Sequence, residues 1–327
     1  MFKKYKAKLL TVVAMTVCSA FGSIQAHAQD QSPVRIIIGF AAGGNGDIIA
    51  RMMAEELRPI LGRSVIVENR PGALGRLAAQ ALKASPGDGT SYLLAPDSWA
   101  IFPTILNTES QLRYNYQQDF KPVARIVSYP LGFFVSEKLE VNTLAEYVAK
   151  AKKDPSLAMY GSSGTGGITE FLGTVMTQEF GFKMGQIPFK GGGEIKTNLM
   201  GGQISAGLMT PGDGLSEVGS RIKPLGFLVE ERWEIAPDIP TFKEQGYNIT
   251  NGGAFSGFWT TAKTPESERK KMEEALKEVL SKPHVKEKLA NIYVKADFGD
   301  GKTLGDTVNH LIDYWTPITQ KSMQANK

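Results

Sequence analysis

The sequence predicts an α/β fold built as two layered lobes, and three observations carry that reading. Short runs of β-branched and aromatic residues alternate with segments of helical apolar spacing along most of the chain. Glycine-rich turns follow several of these runs, where a strand has to bend sharply into a helix. A mature chain of about 300 residues is also more than one hydrophobic core usually serves, so the core is expected to divide.

Residues 1–28 are expected to be removed before folding. Lys3, Lys4, Lys6 and Lys8 form a basic start, residues 9–20 an apolar core, and Ala26-His27-Ala28 a small-x-small signal for cleavage after Ala28. The apolar run is short of the ~20 residues that span a bilayer, and no later segment is apolar enough to do so. The single cysteine, Cys18, lies in this leader behind a bulky Val17 that does not suit lipidation. The mature chain therefore has neither a disulfide nor a thiolate metal site. Without the leader's four lysines, the 37 Lys+Arg fall to 33 against 33 Asp+Glu. A neutral mature chain with no basic stripe has nothing to hold a nucleic-acid backbone.

Strands are expected at 34–40, 65–68, 91–95, 123–127, 132–135, 158–161, 186–189, 204–209, 223–227 and 256–260, in mostly parallel sheets. Helices fill most of the gaps. Residues 47–61 place Ile48, Met52, Leu57 and Leu61 at helical spacing, and 143–153 open with a Thr143…Glu146 capping box. From Pro265 onward no strand is expected, and 266–281, 283–292 and 303–324 read as helix, with Pro265 and Pro283 suiting a first turn. The chain is expected to cross between lobes within 125–134 and to return near Gly252-Gly253. That makes lobe 1 from 33–131 with 254–327, and lobe 2 from 132–253, with a ligand cleft between them.

Two segments say where a ligand's negative charge would sit. After the strand that starts at Val34, the Gly43-Gly44-Asn45-Gly46 turn leads directly into a helix, whose positive end and uncovered N–H groups bind anions without a basic side chain. Gly166-Gly167-Ile168-Thr169-Glu170-Phe171 opens a second helix in the same way.

Six patterns occur in one order along the mature chain. They are Gly43-Gly44-x-x-Asp47, Val67-Glu68-Asn69-Arg70-Pro71-Gly72, Pro86-x-Asp88-Gly89, Tyr160-x-Ser162-Ser163-Gly164-x-Gly166, Pro188-Phe189-Lys190-Gly191 and Pro237-Asp238-Ile239-Pro240-Thr241. In this the chain resembles the Bug family, the periplasmic receptors of tripartite tricarboxylate transporters, from about Pro33 to the C-terminus. The resemblance implies a type II periplasmic-binding-protein fold, two α/β lobes that close on a solute. It further implies that a carboxylate is gripped from opposite sides, by Phe40, Ala41, Ala42, Gly43, Gly44, Asn45 and Asp47 in one jaw and by Ser162, Ser163, Gly164, Thr165 and Gly166 in the other.

The chain departs from the family pattern where the solute's body is concerned. Ala41 and Ala42 stand in place of common prolines, Glu170 in place of a common histidine, Met209 in place of an aspartate, and Trp99 and Phe102 in place of small or polar residues. Loss of that aspartate argues against an ammonium-bearing ligand. Trp99, Phe102, Phe40 and Phe189 have two readings, as aromatic walls of the cleft or as packing residues. Glu170 either faces the cleft, where it would repel a second carboxylate, or complements its helix dipole. Asp47 either serves the first turn of its helix or orients the loop beside the ligand, and the two roles are compatible.

A dinucleotide-dependent oxidoreductase is the rival from another class, because Gly44-x-Gly46 follows a strand and Glu68 ends the next. Ile49 stands where its third glycine is needed, and Asp47 would face the pyrophosphate. His284 and His310 lie far in sequence from every glycine loop, so no Ser-His-Asp triad has a base, and both read as surface or cap residues. Glu55-Glu56, Glu230-Glu231 and Glu273-Glu274 are adjacent pairs and read as solvated. No His/Asp/Glu cluster has metal-ligand spacing. The expectation is a monomeric periplasmic receptor without cofactor, metal or catalysis, which delivers a small carboxylate to membrane transporter subunits. Its solute is expected to be an aromatic or apolar-bodied acid such as terephthalate, the alternatives being citrate-like acids or an amino acid.

Overall fold

The computed structural model describes residues 32–40, 42–217 and 221–325; the leader and Ala41 lie outside them. Two sheets organise the chain. The first holds β1 (Val34–Ile38), β2 (Val65–Asn69), β3 (Ser91–Pro96), β4 (Phe120–Pro130), β10 (Gly253–Thr261) and β11 (Lys295–Asp300). The second holds β5 (Gly132–Ser136), β6 (Met159–Ser163), β7 (Gly185–Phe189), β8 (Ala206–Met209) and β9 (Ile222–Phe227). Strand orders are β11-β4-β10-β3-β1-β2 and β7-β6-β8-β5-β9. The chain leaves the first sheet after Pro130 and re-enters it at Gly253. There the two crossing segments pair with each other, Gly253 opposite Pro130, with the Leu131 N–H donating to Gly252 O at 2.7 Å.

The sheets are mixed, against the expectation that they are mostly parallel. β1 runs parallel to β2 and β3, and β6 to β7 and β8. β10 is antiparallel to β3 and β4, and β5 to β8 and β9. The reason lies in the crossings: β4 passes straight on into β5 while β10 returns alongside it, so these strands oppose one another. The expectation of no strand beyond Pro265 is also overturned, because β11 pairs antiparallel with β4. Its sequence Lys-Ala-Asp-Phe-Gly-Asp has little apolar signal, since an edge strand needs only one partner.

The longer helices are α1 (Asn45–Leu61), α2 (Arg76–Lys83), α3 (Ser98–Leu106), α4 (Leu144–Lys153), α5 (Ile168–Phe180), α6 (Gly192–Gly201), α7 (Glu266–Ser281), α8 (Pro283–Ala290) and α9 (Gly301–Ala325). On α1, Met52, Leu57 and Leu61 of the expected stripe are buried but Ile48 is exposed; the buried face runs through Ile49, Met53 and Leu57, in one core with Ile36, Ile38 and Phe258 of the first sheet and Leu276 of α7. Pro283 starts α8 as expected, whereas Pro265 is the N-cap of α7. At α4 the Thr143 hydroxyl accepts from Glu146 N–H at 3.2 Å, while the Glu146 carboxylate accepts from Asn142 N–H at 2.6 Å, one residue before the expected capping-box partner.

One flank between the sheets is closed by side chains from α3, α5 and α9. Phe102 stacks on Phe171 with centroids 5.2 Å apart and lies 5.6 Å from Trp315, and Thr174 Oγ1 donates to Ser322 Oγ at 3.1 Å.

Candidate functional site

Helices begin just beyond the C-terminal ends of β1, β2 and β3 in one sheet and of β6 and β7 in the other. Ligands of open α/β sheets bind at these ends. The first turn of α1 follows Gly44, an N-cap with no side chain to offer. The N–H groups of Asn45 and Gly46, in the first turn, consequently have no intrahelical acceptor. Asp47, the third helical residue, braces the loop behind them. Its carboxylate accepts from Gly43 N–H at 3.0 Å, from Arg51 Nε at 2.9 Å and from Asn69 Nδ2 at 2.9 Å. Asn69 Nδ2 also donates to Phe40 O at 3.1 Å. The Arg51 hydrogen bond, helped by Gly43 and Asn69 against the opposing effect of burial, holds the Asp47 carboxyl down to about 2. Gly43 has φ 87°, which a side chain would make costly.

The second jaw is built alike. The N-cap of α5 is Gly167, again without a side-chain cap, so the N–H groups of Ile168 and Thr169 are the first-turn donors. The Glu170 carboxylate accepts from Gly166 N–H at 2.7 Å, and Thr169 Oγ1 accepts from Ser163 N–H at 3.2 Å. Ser162 is buried: its hydroxyl donates to Gly164 O at 3.1 Å and accepts from Gln186 Nε2 at 2.6 Å, so it holds the loop rather than facing solvent. Ser163 and Gly164 are half-buried and Thr165 is exposed.

A third glycine-capped start, at Gly192 of α6, has a buried acid beside it. The Asp213 carboxylate lies against Gly192, where even a Cβ would collide with it, and accepts from Thr210 Oγ1 at 2.8 Å. Burial pushes the Asp213 carboxyl up.

The jaws come close to each other. A Cβ on Gly164 would lie 3.6 Å from Leu74 Cδ2, and one on Gly166 3.4 Å from Leu106 Cδ1. The Asn45 amide abuts Gly212, where a Cβ would stand 2.6 Å from Nδ2.

The expected apolar walls divide. Trp99 is 2 % exposed, its ring edge-on to Tyr116, Phe120 and Trp259 at 5.3 to 5.5 Å. Phe102 sits in the stack on Phe171, and Met209 is buried with Phe134, Ile195 and Phe227. All three are packing residues here. The cause is local: α3, Ser-Trp-Ala-Ile-Phe-Pro-Thr-Ile-Leu, is apolar almost all round and sinks into the core. Phe40 remains 41 % exposed, its ring 3.3 Å from where a Cβ on Gly46 would stand. Phe189 is half-buried, beside Gly161. Ala42, Gly43 and Gly44 are exposed, while Ala41 lies outside the described residues.

Two of the acidic pairs are only partly solvated. Glu56 is mostly buried and binds Lys282 at 3.0 Å and His284 at 2.7 Å, and Glu273 accepts from Gly301 N–H at 2.8 Å, at the start of α9. Sequence reasoning passed over Asn69 as a brace although its motif was seen. It missed Leu74 altogether, for which the available signal was a leucine between Gly72 and Gly75. Among the described residues, no group of three His, Cys, Asp or Glu could hold a metal ion, and no helix is long and apolar enough to cross a membrane.

Residues 49–323 match the model of the tripartite tricarboxylate transporter family receptor, TctC. A UPF0065 protein of Agrobacterium vitis, from the TAR-I ttuE-ttuC' intergenic region, is 33% identical over 272 residues, covering 82% of this chain and 78% of that one. The solved periplasmic binding protein BugD superposes with a TM-score of 0.78 at 26% identity, covering 88% of this chain and 97% of its own. An R. palustris protein solved with adipate superposes with a TM-score of 0.81 at 22% identity, covering 89% and 97%.

Proposed function

Since the chain belongs to the family of tripartite tricarboxylate transporter receptors, we propose that it captures one small organic carboxylate between its lobes in the periplasm and hands it to the membrane subunits of such a transporter. The observation that carries this reading is the pair of glycine-capped helix starts, Asn45-Gly46 and Ile168-Thr169, each with its own acid folded back onto the loop. First-turn amides facing a carboxylate form charge-assisted hydrogen bonds, and the two helix dipoles add to them. The lobes 33–131 with 254–327 and 132–253 close on the solute, because a ligand touching both jaws makes its extra contacts only in the closed state. Several such bonds support binding of about −8 kcal/mol, in the micromolar range. The leader, cut after Ala28, supplies export.

Burial of Trp99, Phe102 and Met209 removes the grounds on which those three favoured an aromatic acid. Terephthalate accordingly takes its place in a panel beside adipate, citrate, malate and glutamate. The test is a thermal-shift and calorimetry screen of refolded, ligand-free mature chain. At least one carboxylate is expected to bind, and its amide or methyl ester to bind at least tenfold worse, a loss of about 1.4 kcal/mol. Equal affinity for acid and amide would sink the carboxylate reading.

A further inference from the structure

Resting on the receptor reading, we propose that Leu74 is the specificity-determining residue of the cleft, an apolar wall that selects the hydrocarbon next to the gripped carboxylate and excludes a second charge there. Leu74 has φ 54° and ψ 41°, the left-handed conformation that L side chains adopt at a cost. Non-glycine residues are kept in that state where the surroundings over-determine them, and such sites cluster at ligand clamps. The surroundings here are specific. Gly75 closes a turn on Gly72, with its N–H donating to Gly72 O at 3.0 Å, and Gly39, just after β1, packs so tightly on Gly75 that a Cβ would stand 2.6 Å from its Cα. The turn that carries Leu74 is thereby pressed against the root of the first jaw. From there the side chain reaches the second jaw, with its methyls 3.6 and 4.0 Å from the Cβ positions of Gly164 and Gly166. Leu106 meets Gly166 from the same lobe.

Leu74 is nevertheless 46 % exposed, an apolar surface that a bound solute would cover. Both leucines approach the second jaw at Gly164 and Gly166, so the carbons of a solute lying against those glycines meet methyl groups and not donors. A second carboxylate at that position would lose its water without a partner. The chemical class so selected is a carboxylate whose adjacent carbons are uncharged hydrocarbon.

Calorimetry on the refolded mature chain and its Leu74→Gly variant, with benzoate against phthalate and hexanoate against butylmalonate, which both set the second carboxylate beside the first, tests this. Glycine takes the left-handed conformation freely, so the variant is expected to fold with an unchanged or raised Tm. The intact protein should bind benzoate and hexanoate at least tenfold more tightly than their diacid partners, and Leu74→Gly should narrow that ratio below threefold. A ratio that stays at threefold or above in Leu74→Gly, a wild-type ratio below tenfold or a preference for the diacids, or binding of any other carboxylate with none of these four acids overturns the assignment to Leu74 while leaving the receptor reading standing. Failure of the wild-type protein to bind any carboxylate overturns both.

Discussion

Asp47 and Glu170 hold the same place in two lobes that share no sequence repeat. Each is the third residue of a helix capped by a glycine, and each carboxylate accepts the N–H of the residue four positions earlier, Gly43 at 3.0 Å and Gly166 at 2.7 Å. Both of those glycines have positive φ, 87° and 74°. Negative charge that would complement the helix start is thus engaged by the loop, and the first-turn amides keep their donor capacity. Glu194 repeats the bond to Lys190 N–H at 3.0 Å, which marks it as a general way of bracing these turns.

Proline at the first helical position isolates the amides. Gly44 (φ −80°, ψ 167°) and Gly167 (φ −122°, ψ 175°) are extended, as a residue before proline prefers. Proline at that position also suits a helix start. Asn45→Pro and Ile168→Pro should therefore leave the helices intact while deleting one donor each. Compared with Asn45→Ala and Ile168→Ala, each is expected to lose about 1.5 kcal/mol or more of carboxylate binding, the worth of a hydrogen bond to a charged group. Circular dichroism checks the fold and calorimetry the affinity; unchanged affinity in both proline variants would take these amides out of the site.

Glu170 separates charge from bracing. Glu170→Gln keeps an acceptor for Gly166 N–H and removes a negative charge near the proposed ligand, so carboxylate affinity should hold or rise a few-fold, with the gain shrinking in high salt. Glu170→Ala frees the Gly166 amide and should weaken binding by about 1 kcal/mol, one net hydrogen bond's worth of loop order. If the alanine variant binds as the parent does, the brace has no part in recognition.

Each of the ten expected strands overlaps an observed one, because short apolar runs bounded by turn residues reveal a strand by pattern alone, at the half-exposed edges β2 and β7 as well as inside the sheets. Strand direction was not legible. It depends on β4 and β10 crossing between sheets, a property of connectivity rather than composition. β11 was hidden by its edge position. The glycine turns could be read because backbone amides need bare backbone. The walls could not, since whether Trp99 or Leu74 meets solvent is decided by what packs around α3 and around the 72–75 turn. A leucine in a glycine-rich turn was the weaker hydrophobic signal, yet the one left at the surface.

Trp99 and Phe102 should then behave as core. Trp99→Ala and Phe102→Ala are each expected to cost about 3–5 kcal/mol in urea denaturation, the usual loss for a buried aromatic. Trp99→Phe should cost less, because the buried Trp99 Nε1 has no hydrogen-bond partner to lose. Phe102 touches Phe171 across the lobes, so a tolerated Phe102→Leu is expected to change affinity for all acids by one common factor. A selective loss of aromatic acids in Trp99→Phe would return these rings to the binding site.

Two carboxyls shift in opposite directions and give stability a pH dependence of both signs. Asp47 falls from the usual 3.8 to about 2, so its contribution is present above pH 4 and is lost as pH drops toward 2. Its partner Arg51 is more than half exposed, which screens the pair and limits the contribution to about 1–2 kcal/mol. Asp47→Asn should be less stable than the parent at pH 7, with the difference closing toward pH 2. Asp97, at the start of α3, is 2 % exposed, and burial pushes it up from 3.8 to about 7 despite the Ser98 N–H at 2.8 Å. Between those values the unfolded chain ionises while the folded one stays protonated, so stability declines as pH rises and the full penalty stands above pH 7. Asparagine keeps the cap and cannot ionise. Asp97→Asn should therefore match the parent below pH 4 and exceed it at pH 8, a crossover readable in thermal denaturation from pH 3 to 8. A variant no more stable than the parent at pH 8 would mean that the ionised Asp97 is compensated in place.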